Sequence, residues 1–103
     1  MSALELAQSL IKIKSVSPND EGCFDLIEAQ LIPLGFAIER VPELNCETLL
    51  AKFGDSGKVF CFLGHTDIVP SGPEEEWTSP PFEANIIDGE LIGRGAADMK
   101  GSV

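Results

Sequence analysis

The chain is poor in positive charge. Seven lysines and arginines stand against 17 aspartates and glutamates, a formal net charge of −10 over 103 residues. Binding of phosphate backbones needs a basic face, so nucleic acid is excluded as a partner. An anionic membrane surface is excluded for the same reason. The acidic excess fits a soluble cytoplasmic protein. No apolar run approaches the roughly 20 residues of a membrane span. The N-terminus lacks a basic segment followed by an apolar core, which predicts no secretory leader. Cysteine is scarce, and Cys23, Cys46 and Cys61 are scattered without Cys-x-x-Cys spacing. Neither a disulfide framework nor a structural zinc knuckle is indicated. Internal repeats and low-complexity tracts are absent, and there is a single histidine, His65.

What is present is ordinary globular sequence, 44% hydrophobic and 23% charged. Its length allows one small domain, residues 1–103, burying roughly two-thirds of its unfolded surface. Ser2-Ala3-Leu4-Glu5 is a capping box. Leu4, Ala7, Leu10 and Ile11 then repeat at helical spacing, so a helix is expected from about Ala3 to Lys14. Ser15-Val16-Ser17-Pro18 breaks it. A second helix is expected from about Glu21 to Leu34. Gly35 suits a left-handed end, and Pro33 disturbs the last turn. Both helices read as scaffold. Phe36–Val41 and Thr48–Phe53 read as strands. The Gly54-Asp55-Ser56-Gly57 turn signal would pair the second of these with the apolar run that follows. Phe82–Ile87 and Glu90–Gly93 flank Asp88-Gly89, a strong hairpin signal.

The apolar run Val59–Leu63 ends in Gly64 and reads as a buried strand, with Cys61 as plain core packing. His65 stands just beyond it, at the end of a strand where ligands bind in open α/β sheets. His65 and Asp67 are two residues apart and share a face if the backbone stays extended. A carboxylate that takes one imidazole proton fixes the tautomer and leaves the other nitrogen free for a metal. Asp98 lies in the glycine- and alanine-rich loop Gly93-Arg94-Gly95-Ala96-Ala97-Asp98-Met99-Lys100-Gly101, whose small residues permit close backbone approach. An imidazole, a carboxylate to orient it and a second carboxylate in a tight loop are parts of a zinc site. Glu74-Glu75-Glu76 is a different matter: three adjacent carboxylates cannot all face one ion, and a solvated loop pinned by Trp77 is the expectation. Arg94 reads either as a clamp for a substrate carboxylate or as a brace for the glycine loop.

Gly64-His65-Thr66-Asp67, then Trp77 with Pro80-Pro81-Phe82, then Asp88-Gly89 through Gly101 together resemble the dizinc amidohydrolases. That family includes acetylornithine deacetylase, aminoacylase and glutamate carboxypeptidase. The resemblance runs from the first helix to Val103 and is most specific at Gly93–Gly101. It implies an α/β fold: a partial three-layer sandwich with two N-terminal helices packed on a mixed sheet, the first part of a zinc-aminopeptidase-like catalytic domain. It implies two zinc ions per subunit, replaceable by cobalt. His65 would bind one zinc, Asp67 would be the catalytic partner that orients His65, and Asp98 would bridge both ions. It also implies a cis bond at Asp98-Met99 and a homodimer in the full-length enzyme. The general base, another acidic ligand and a second histidine would come from beyond these residues. The chain therefore reads as a fragment of a longer enzyme, inactive alone. Within the family the likeness is strongest to members that hydrolyse N-succinyl amino acids. A related deacylase, or a non-catalytic piece of the same fold, is the alternative. A cysteine hydrolase using Cys61 with His65 is a third reading, weakened because reactive thiols sit in exposed electropositive places.

Overall fold

The computed structural model describes residues 1–103. Its architecture is α/β, with two short helices, two antiparallel hairpins and long connecting segments. Helix α1 spans Ala3–Ile11. The Ser2 hydroxyl accepts from the Glu5 amide and the Glu5 carboxylate accepts from the Ser2 amide, so the capping box forms as expected. The helix ends at Ile11, short of Lys14. Leu10 O and Ile13 O each accept from the Lys100 ammonium at 2.7 Å.

Helix α2 spans Cys23–Leu31 and starts later than the periodicity predicts. Glu21 and Gly22 are left-handed, with φ of 56° and 102°. Asp20 receives the Gly22 and Phe24 amides there. Pro33 tightens the end into a single turn, Ile32–Leu34, closed by Gly35 at φ 93°.

Strands β1, Ala37–Glu43, and β2, Cys46–Lys52, pair antiparallel from Ala37↔Lys52 to Glu43↔Cys46. The hairpin therefore turns at Leu44-Asn45, and β2 does not pair with the apolar run after Gly57. A two-residue connection closes a hairpin locally, before any longer-range pairing is needed. β3, Asn85–Ile87, and β4, Glu90–Ile92, form the second hairpin. Asp88 and Gly89 both have positive φ, 51° and 81°, the backbone a two-residue turn of this kind requires.

The expected single mixed sheet is not formed among these residues. Val59–Leu63 joins no ladder, and Phe60, Phe62 and Leu63 are more than four-fifths exposed. Cys61 is likewise exposed, not core. A strand apolar on both faces is buried only when neighbouring strands and helices cover it, and both hairpins lie elsewhere. The one parallel contact is a bridge between Val16 and Ile68. The core is small. Leu10, Ile11, Cys23, Ile68 and Ala84 are buried with Ser15, Pro81 and Lys100 where α1 meets the segments around residues 66–68, 81–84 and 95–100. No helix is long and apolar enough to cross a membrane.

Candidate metal centre

The site lies where two loops approach the turn after α1. One loop, Gly64–Pro70, carries His65 and Asp67. The other is the single turn Ala96–Lys100, in which Asp98 and Met99 leave helical backbone at φ −127° and −136°. The Asp98-Met99 peptide is cis, as is Ser17-Pro18. Gly95 enters this turn at φ +88°, and a Cβ there would stand 2.8 Å from Ile68 Cγ2. Only glycine lets the two loops pack this closely.

Both loops are tied to the same short stretch. Ser17 N donates to Ile68 O and Ile68 N to Ser15 O, each at 3.0 Å. The buried Ser15 hydroxyl donates to Thr66 O at 2.7 Å. Lys100 holds the other loop through its bonds to Leu10 O and Ile13 O. The Lys100 side chain is buried, and burial pushes its ammonium below the ordinary lysine pKa.

The three candidate residues meet as the sequence predicts. His65 Nδ1 lies 3.2 Å from Asp67 Oδ1 and 3.2 Å from the Asp67 carbonyl. His65 Nε2 lies 3.1 Å from Asp98 Oδ1. With Nδ1–H donated to Asp67, Nε2 turns a lone pair toward a carboxylate oxygen. Two acceptors then face one another, and a second ring proton or a cation reconciles them. The separation suits a cation. Zinc bonds of about 2.0–2.2 Å at tetrahedral angles place neighbouring ligand atoms about 3.3 Å apart. The donor set, one imidazole nitrogen and one carboxylate, is a kind zinc accepts. It is half a shell: no group of three or more His, Cys, Asp or Glu side chains is placed to hold one ion.

A cleft of about 220 Å³ opens over this pair and is lined by Ser17, His65, Asp67, Arg94 and Asp98 among others. Ser17 escaped the sequence reading; its hydroxyl hydrogen-bonds Asp67 Oδ2. A serine 50 residues upstream, in a helix-breaking run, carries no local sign of this role. Arg94 braces the loop. Its guanidinium lies 5.0 Å over the Trp77 ring, and Trp77 Nε1 donates to Ser71 O at 3.0 Å. Arg94 Nε is buried without a hydrogen-bond partner. Glu74–Glu76 form one exposed turn away from the cleft, as expected of a solvated run. Cys61 takes no part, since its sulfur hydrogen-bonds the Phe62 carbonyl and both His65 nitrogens face aspartates.

The chain is similar to several known proteins. Residues 61–103 match the model of peptidase family M20/M25/M40. The succinyl-diaminopimelate desuccinylase of Hydrogenovibrio crunogenus is 55% identical over 101 residues. Those of Alkalilimnicola ehrlichii and Pseudoalteromonas atlantica are 54% and 53% identical over 100 residues. Each match covers 97% of this chain and 27% of the relative, so the chain spans about a quarter of their length. The crystal structure of human carnosine dipeptidase 1 superposes with a TM-score of 0.75 at 25% identity, over 97% of this chain and 25% of that one. The fold is thus shared with part of a dipeptidase. Along nearly all its length the chain is similar to three desuccinylases, and across His65, Asp67 and Asp98 it is similar to the model of peptidase family M20/M25/M40.

Proposed function

We propose that residues 1–103 are the first part of the metal-dependent catalytic domain of an amide hydrolase. Its reaction removes succinate from N-succinyl-LL-2,6-diaminopimelate in bacterial lysine and diaminopimelate biosynthesis. The observation that carries this reading is the 3.1 Å approach of His65 Nε2 to Asp98 Oδ1 across an open cleft. It gains weight from the similarity to succinyl-diaminopimelate desuccinylases.

When bound, two divalent ions, zinc or cobalt in its place, would polarise the amide carbonyl and lower the pKa of a water. The residues of this chain serve that chemistry in distinct ways. Asp67 accepts from Nδ1–H and keeps the Nε2 lone pair of His65 directed into the cleft. Asp98 has two carboxylate oxygens, enough to serve two ions about 3.5–4 Å apart. Arg94 and Trp77 hold the glycine loop on which Asp98 sits. The remaining ligands and the general base belong, in this reading, to the length of the relatives that this chain does not span. The working enzyme is proposed to be a cytoplasmic homodimer acting on a small N-succinyl amino acid.

The test is turnover of N-succinyl-LL-2,6-diaminopimelate by the whole protein that carries these residues, with and without a chelator. N-acetylornithine in the same assay distinguishes a related deacetylase. Chelator-sensitive desuccinylation, lost in Asp98→Ala and absent for residues 1–103 alone, is the expected result. Chelator-resistant turnover, or preference for the acetyl substrate, would overturn the assignment.

A further inference from the structure

We propose that Ser17 is a positioning residue for the metal centre, acting through Asp67 on His65. The inference rests on the metal-centre reading above and adds a residue to it. The carboxylate of Asp67 has one hydrogen-bonding partner, Ser17, and one charge contact, His65, whose Nδ1 also meets the Asp67 carbonyl. Oδ1 faces His65 Nδ1 at 3.2 Å, and Oδ2 accepts from the Ser17 hydroxyl. The Asp67 side chain is about half exposed, at 48%, so packing does not fix its rotamer. The Ser17 hydrogen bond and the contact with His65 are what hold it.

The Ser17 hydroxyl is itself well anchored. Its amide donates to Ile68 O, and the Ile68 amide donates back to Ser15 O, so residues 15–17 run beside residues 66–68 as a parallel bridge. The buried Ser15–Thr66 bond fixes the same bridge one step further along. The main chain thereby delivers Ser17 Oγ to Asp67 whether or not His65 is in place. The Ile68 carbonyl, 3.4 Å away, competes for the same proton, but a carboxylate is the stronger acceptor. With Oδ2 held, Oδ1 points at Nδ1, the Nδ1–H tautomer is kept, and the Nε2 lone pair faces Asp98. Without the hydroxyl, the Asp67 carboxylate turns toward water and His65 Nδ1 keeps only the neutral Asp67 carbonyl, a weaker acceptor.

The experiment is a double-mutant cycle read by metal affinity, not by turnover. Zinc and cobalt binding to the whole protein are titrated for wild type, Ser17→Ala, Ser17→Thr, Asp67→Ala and Ser17→Ala/Asp67→Ala, with His65→Ala as reference. Threonine keeps the hydroxyl and suits the extended backbone before a proline. Ser17→Ala is expected to weaken binding by about 10-fold, the low end of the effect of groups that orient a metal ligand. Ser17→Thr is expected to recover most of it. In the Asp67→Ala background the Ser17 change should have no further effect, because its route to the metal is gone. Unchanged affinity in Ser17→Ala, no recovery in Ser17→Thr, or an equal loss with Asp67 already removed would each overturn the proposal. Wild-type binding that does not depend on His65 would overturn the metal-centre reading itself, and the role of Ser17 with it.

Discussion

Lys100 and Leu10 lie 90 residues apart and meet through a buried hydrogen bond of 2.7 Å, Nζ to carbonyl oxygen. The same ammonium reaches Ile13 O. A charged lysine 1% exposed is tolerable because its ammonium donates to two carbonyls at and just past the end of α1. A cation at a helix C-terminus also complements the helix dipole. The consequence is mechanical: the turn that carries Asp98 is pinned to the helix whose trailing segment carries Ser17.

Replacing Lys100 with Met should therefore destabilise the whole protein by about 1–3 kcal/mol, since Leu10 O and Ile13 O lose a charged donor. Urea denaturation measures this. Metal affinity should fall as well, because Asp98 is two residues from the lost anchor.

Gly101 has no room for a side chain. A Cβ there would stand 2.1 Å from the Ala96 carbonyl oxygen, a backbone atom that cannot swing aside. Gly101→Ala should cost more than about 2 kcal/mol and reduce metal occupancy. Gly89→Ala is the comparison: φ is +81° but nothing lies within 4 Å, so about 1 kcal/mol of backbone strain is expected. Thermal melts of the two variants in parallel provide the check.

Asp67→Ala should leave metal binding detectable but weaker by about 10–100-fold, whereas Asp98→Ala should reduce both stoichiometry and affinity. Titration calorimetry separates the two patterns. Equal effects of the two changes would mean that the roles assigned to orienting and ligating carboxylates are mistaken.

Arg94 and Trp77 should be coupled. The guanidinium lies over the indole, so the single alanine variants should be non-additive by about 0.5–2 kcal/mol in a double-mutant cycle of unfolding free energies. Additive losses would assign the two residues to separate tasks.

Much of this was legible where the physics is local. The Ser2–Glu5 capping box, the Asp88-Gly89 turn and the shared face of His65 and Asp67 depend on neighbours within a few residues, and the structure has all three. Asp98 was legible as a candidate because small residues crowd around it. What the sequence concealed is non-local. Nothing in Ser15-Val16-Ser17-Pro18 announces a partner at Asp67, and nothing near Lys100 announces α1. The apolar run Val59–Leu63 misled for a related reason. Its composition asks for burial, but burial needs covering elements at a distance, and here the run stays exposed and unpaired. The β1–β2 hairpin went the same way: a loud turn signal at Gly54–Gly57 was outweighed by a quieter one at Leu44-Asn45.

The most direct test of the account is anomalous diffraction at the zinc edge from crystals of the whole protein soaked in zinc. The account predicts a metal peak bonded to His65 Nε2 and to a carboxylate oxygen of Asp98, at about 2.0–2.2 Å from each. His65 Nδ1 should still face Asp67. A peak bonded through Nδ1, or zinc bound in the protein with neither His65 nor Asp98 among its ligands, would contradict it.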